Sequence, residues 1–170
     1  MADDVERTPD GRFIVVGGRR WRATDPAIPD ALRAELVREL MAARREVGAA
    51  HGEEPRTAAA RARVQDAKVA LGERGEPWWE PASDAGTAER LRAAILTLLR
   101  ARDPASTICP SDAARVAGGA GWRPSVPVAR DVAAGLADAG VVDVRQRGRT
   151  VDPRRARGPL RIARGPAWPG

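Results

Sequence analysis

Between Thr87 and Ile162 the apolar residues change their repeat once, and that change restricts the folds open to the chain. The run TAERLRAAILTLLRAR places Leu91, Ala94, Ile95, Leu98 and Leu99 at i, i+3, i+4, i+7 and i+8, the spacing of a core-facing helix. Pro110 suits the start of a short second helix over 111–117. A third helix over SVPVARDVAAGLADAG turns Ala129, Val132, Ala133 and Leu136 inward and stops at Gly140, a helix-ending glycine. Its outer face keeps Arg130, Asp131, Ala134, Gly135 and Asp138. The repeat then falls to two. Val141, Val142 and Val144 begin a strand, Gly148 turns it, and Thr150 and Val151 return, with Leu160 and Ile162 placed for a third short strand. This order of elements is that of a winged helix-turn-helix, whose third helix is the usual groove reader.

The preceding residues read as a smaller unit. FIVV and RRWRA flank Gly17-Gly18, a two-residue turn that tolerates positive φ and pairs Val16 with Arg19 and Ile14 with Trp21. A helix over 31–47 carries Leu32, Leu36, Val37, Leu40, Met41 and Val47, and a second over 57–72 carries Ala60, Val64, Ala67 and Leu71. An antiparallel helix pair with the hairpin laid against it follows. In the joining stretch GERGEPWWEPASDAGT, Trp78 or Trp79 is expected to pack, because each buried indole contributes roughly 1.5–3 kcal/mol. Ala82–Gly86 is the expected flexible point. The predicted class is α+β, mainly helical: a hairpin and helix pair over 1–80, a linker at 81–86, the winged unit over 87–164, and a disordered tail at 165–170.

Charge separates the halves. Residues 1–84 carry 14 basic and 16 acidic side chains and residues 85–170 carry 15 and 7, so the halves stand at −2 and +8 of the net +6. An excess confined to one half suits an anionic partner. Arginine supplies 28 of the 29 basic residues, with Lys68 the exception, a bias that a GC-rich genome also imposes. The single cysteine, Cys109, excludes an internal disulfide and fits a reducing compartment. MADDVERT lacks the basic start and apolar run of a secretory signal, and no apolar run is long enough for a membrane span. A cytoplasmic protein without membrane contact is expected.

Candidate chemistry is concentrated in arginine. Arg145, Arg147 and Arg149 surround the Gly148 turn, and Arg154, Arg155, Arg157, Arg161 and Arg164 follow in PRRARGPLRIARG. A guanidinium donates two hydrogen bonds to one anion, which suits phosphate. Arg123 and Ser125 precede the third helix and are placed for backbone contact. The acids Asp131 and Asp138 make that helix a poor base reader. Other groups are weaker. Cys109 at a helix start reads as a small core residue, and His51 with Glu53 and Glu54 lacks metal-ligand spacing. Glu73, Glu76 and Glu80 around the Trp pair have no spacing that fixes an acid/base dyad. No phosphate-binding glycine loop surrounds Gly17-Gly18. No catalytic constellation, metal or cofactor is expected.

ILTLLRARDPASTICPSDAARVAG, GWRPSVPVARDVAAGLADAG and VVDVRQRGRTVDPRRARGPLRI together resemble a bacterial winged-helix family of unknown function, over about 87–162. GRRWRATDPAIPDALR and AKVALGERGEPWW resemble an uncharacterised actinobacterial segment ahead of it. The resemblance implies a fold and brings no activity or site residues. The expectation is a non-enzymatic protein that contacts nucleic acid, DNA ahead of RNA, mainly through phosphate. Arg145, Arg147, Arg149, Arg154 and Arg155 would be the main contacts and Arg123 and Arg130 secondary ones. The alternative is a protein-docking or homodimerisation module, signalled by an apolar patch at Trp78, Trp79 or Trp122.

Overall fold

In a computed structural model, which describes residues 5–169, the chain begins with a three-stranded antiparallel sheet. β1 (Glu6–Arg7) pairs with β2 (Phe13–Val16), and β2 pairs with β3 (Arg19–Arg22). Gly17 and Gly18 take φ of 56° and 75°, the left-handed values that a two-residue hairpin turn needs. The register is the expected one, with Val16 opposite Arg19 and Ile14 opposite Trp21. β1 has too short a run to show alternation, and it is found only through its pairing.

α1 (Asp30–Ala49) and α2 (Glu54–Ala70) pack on each other. Glu46 meets Arg56 and Glu39 meets Arg63, contacts that descend one helix as they climb the other, so the pair is antiparallel. α3 (Asp84–Ala101) is the centre of the molecule. The sequence marks one apolar stripe on it, yet every residue from Ala93 to Leu99 is buried. A helix buried all round needs cover on more than one side. Here α1 and α2 supply part of it, and α4 (Pro110–Gly118) and α5 (Ser125–Asp138) supply the rest.

One apolar core therefore runs from Ile28 and Leu36 through α3 to Val144 and Ile162, across the boundary expected near 81–86. Residues 84–86, within the expected linker, are helical. They form the first turn of α3, where the Ser83 hydroxyl accepts from the Gly86 N–H at 3.0 Å. The Glu76 carboxylate in turn accepts from the Ser83 N–H at 2.8 Å and from its hydroxyl at 2.6 Å.

The second sheet is antiparallel in the order β5-β4-β6, with β4 (Val142–Gln146) between β5 (Arg149–Thr150) and β6 (Arg161–Arg164). Ile162 also forms an antiparallel bridge with Ile108, just ahead of α4. The tail expected to be disordered is packed over 165–169. Gly165 and Ala167 donate to the carbonyls of Val141 and Gly140, each at 2.9 Å. The indole of Trp168 lies under the guanidinium groups of Arg164 and Arg100, at 5.2 and 5.7 Å. Gly170 and the first four residues lie outside the described residues. The whole is α+β, with five α-helices and two small antiparallel sheets among the described residues. No helix among them is long and apolar enough to cross a membrane.

Candidate nucleic-acid interface

The β4–β5 connection is a two-residue turn, Arg147-Gly148, because Gln146 pairs with Arg149. Both turn residues have positive φ, 51° for Arg147 and 77° for Gly148. Among the described residues Arg147 is the one non-glycine held in that region, where a side chain costs energy. Arg147 and Arg149 are both exposed.

The other predicted arginines divide by partner. Arg145 pairs with Asp143 at 2.6 Å, and the second oxygen of Asp143 accepts from the Thr150 hydroxyl at 2.9 Å. Arg154 grips Asp138 with two hydrogen bonds, at 2.7 and 3.3 Å, and holds that carboxyl below the usual aspartate range. Arg155 is nearly free, 3.7 Å from Asp152 and 90% exposed. Arg130 donates to the carbonyls of Ala156 and Gly158. Arg123 is exposed and lies 4.9 Å from the Trp122 ring. Arg115, which the sequence reading did not single out, lies 4.7 Å from the same ring. The ion pairs of the β4–β6 region thus occupy Arg145 and Arg154 and leave Arg147, Arg149 and Arg157 unpaired among the described residues.

Two of the tail arginines are structural. Arg161 donates to the Thr107 hydroxyl at 2.8 Å, and Arg164 donates to the carbonyls of Leu99 and Arg102 at 2.8 and 3.3 Å. Arg164 so places a cation on the unpaired carbonyls at the end of α3, where the helix dipole is negative.

The segment between β5 and β6 is tied down on two sides. Gln146 donates to the carbonyls of Arg157 and Pro159, at 2.6 and 3.2 Å, and Arg130 holds the same segment to α5. The backbone of Arg157 is thereby kept beside the side chain of Gln146, the residue that precedes the Arg147-Gly148 turn. Between the segment and α5 lies a shallow cleft of about 380 Å³ whose lining includes Arg130, Asp131, Arg154 and Arg157.

α5 differs from the sequence expectation in one respect. Ala134, placed on its outer face, is fully buried. Its exposed line is Pro127, Asp131, Gly135 and Asp138, which presents two carboxylates and no cation. Asp138 is already neutralised by Arg154.

The remaining candidates stay apart. Cys109 is half-buried at the start of α4, and its N–H donates to Asp112 at 3.1 Å. His51 is exposed, and no His, Cys, Asp and Glu cluster that could hold a metal occurs among the described residues. Glu73 accepts from Thr24, Glu76 binds Ser83, and Glu80 is exposed, so these three acids have separate surroundings. Trp78 donates to the Ala23 carbonyl at 2.9 Å, and Trp79 packs edge-on against Phe13, so the pair is fastened to the first sheet. Trp78, Trp79 and Trp122 are all half-buried.

Residues 88–165 match the model of a family described as a protein of unknown function, DUF3253. This part of the chain is similar to that family. The matched stretch takes in α3 beyond its first turn, α4, α5 and the second sheet, and every arginine of the candidate interface lies in it. The first sheet, α1 and α2 lie outside it. No curated protein matches the chain.

Proposed function

We propose that residues 88–165 form a winged helix-turn-helix that contacts duplex DNA without catalysis, through phosphate. The order α3, α4, α5, β4, β5 supports the fold reading, as does the Ile108–Ile162 bridge in the position of a short strand between first and second helices. The turn Arg147-Gly148 is then the wing tip. One observation carries the binding reading: Arg147 and Arg149 are exposed and unpaired at that tip, with the Arg157 backbone held by Gln146 just before it. The cations free to meet phosphate are Arg147, Arg149, Arg155 and Arg157. Arg130, Arg145 and Arg154 are engaged within the chain, and Arg123 rests on an indole. The acidic exposed line of α5 favours backbone contact over base reading.

Four phosphate contacts give a slope of about −3.6 in log K against log salt on duplex DNA. Fluorescence anisotropy with a labelled duplex at several salt concentrations measures it. Replacing Arg147 and Arg149 together with alanine is expected to flatten the slope by about 2. Arg145→Ala, which removes an already paired cation, is expected to change it little. Absence of duplex binding at low salt overturns the function, and an unchanged slope in the double variant overturns the site. Single-stranded RNA binding more tightly than the duplex would overturn the choice of DNA.

A further inference from the structure

Of the five large apolar side chains exposed among the described residues, four line a single groove. Val16 and Trp21 come from the first hairpin, and Val37 and Met41 come from α1. The groove holds about 500 Å³, within the usual range of a small-molecule site. It lies outside residues 88–165 and is independent of the DNA reading.

The polar groups at this groove are unusual for the chain. Lys68, the single lysine in the sequence, lines it from α2 with its side chain only 11% exposed. Its ammonium can donate three hydrogen bonds. The contacts it has are Glu73, 3.6 Å away, and the Trp21 ring, 5.5 Å away, both beyond hydrogen-bond reach. Glu73 is itself shared, since its other oxygen accepts from the Thr24 hydroxyl at 2.9 Å. Burial pushes Lys68 below the ordinary lysine range, and the neighbouring Arg44 and Arg74 push the same way against the pull of Glu73. The charged residues lining the groove are Arg22, Arg44, Lys68 and Glu73, three cations to one acid. Residues 1–84, which contain it, carry 14 basic and 16 acidic side chains, so this local excess of cations is not inherited from the composition.

We propose that the groove binds a small amphipathic monocarboxylate. The apolar body lies on Trp21, Val37 and Met41. The carboxylate meets Lys68 and Arg44, and so gives the ammonium a closer acceptor than Glu73, which stands 3.6 Å away. A single negative charge suits the site better than a dianion, because Glu73 stands beside Lys68.

Calorimetric titration of the full chain with decanoate and with decanol, below micelle-forming concentrations, tests this. One decanoate per chain is expected, bound about tenfold or more tightly than decanol, since each factor of ten corresponds to about 1.4 kcal/mol. Lys68→Met keeps the apolar stem and removes the charge, and should bring decanoate down to the level of decanol. Arg44→Gln, at an exposed position, gives a second loss of carboxylate preference should the buried variant misfold. Val37→Glu at the rim should weaken both ligands. No saturable binding, equal affinity for acid and alcohol, or unchanged decanoate affinity in both charge variants overturns the proposal. So does a dimer seen by light scattering that Val37→Glu dissociates, because the groove would then be filled by a second copy of the chain.

Discussion

Arg63 closes on Glu39 with two hydrogen bonds, at 2.7 and 3.1 Å, although Glu39 is only 4% exposed. Arg102 grips Glu35 in the same way, at 2.7 and 3.1 Å, and joins α1 to the end of α3. Arg90 reaches Asp25 at 2.8 Å. The planar guanidinium fork makes such two-pronged ties readily. Counting arginines along the sequence therefore overstates how many are available to a partner. Some of this was readable: Asp143 and Arg145 are two apart on one strand and must share a face. The Arg154–Asp138 pair was not, because it depends on the fold of the segment after β5. Thr97 reverses the logic of satisfied groups. Its hydroxyl is buried in α3 with no partner. Thr97→Val keeps the shape and removes that unmet group, so it should raise stability by about 1 kcal/mol, read as a higher urea midpoint. A lower midpoint would refute the assignment.

Among the elements, the first hairpin was the most legible, since a Gly-Gly turn between alternating runs fixes its register. Four of the five helices were legible from their apolar spacing, and α4 from the proline at its start. The complete burial of α3 was not, because Ala93, Leu96 and Thr97 fall off the marked stripe and are covered only once helices pack on more than one side of α3. Ala134 in α5 is likewise buried off its marked stripe. The packing after β6 was hidden by its composition: GPAWPG reads as a frayed terminus, yet Trp168 stacks against Arg164 and Arg100. The packing there is tight. A Cβ on Gly165 would press against the Gly140 carbonyl and come within 2.8 Å of the Val142 carbonyl carbon. Backbone cannot swing aside as a flexible side chain can. Gly165→Ala is expected to cost about 2 kcal/mol, measured as a lower urea midpoint. Gly121→Ala, which meets open space, should stay within about 0.5 kcal/mol of the parent.

At the scale of the whole molecule, the shared core predicts one cooperative unfolding transition, with far-UV and near-UV circular dichroism giving the same midpoint. Two separate midpoints would show that the halves unfold independently. Acid should weaken the fold in a definite window. Hydrogen bonds from Arg154 and Arg56 hold Asp138 and Glu46 below their ordinary values of 3.8 and 4.5, and Ser83 does the same for Glu76. A carboxyl whose folded pKa is depressed contributes stability that is present above its unfolded pKa and lost as pH falls through the folded one. Thermal midpoints should therefore hold steady toward neutral pH and drop below about pH 4, where the arginines keep their charge and lose their counterions. A midpoint that stays level down to pH 2 would contradict this. The central place of α3 also has a consequence in time. During synthesis α1 and α2 emerge first, with the core residues that α3 will help to cover still bare. The early part of the chain is thus a half-mould waiting for its casting, and a pause in translation just before Asp84 would leave that apolar face open to whatever else is near.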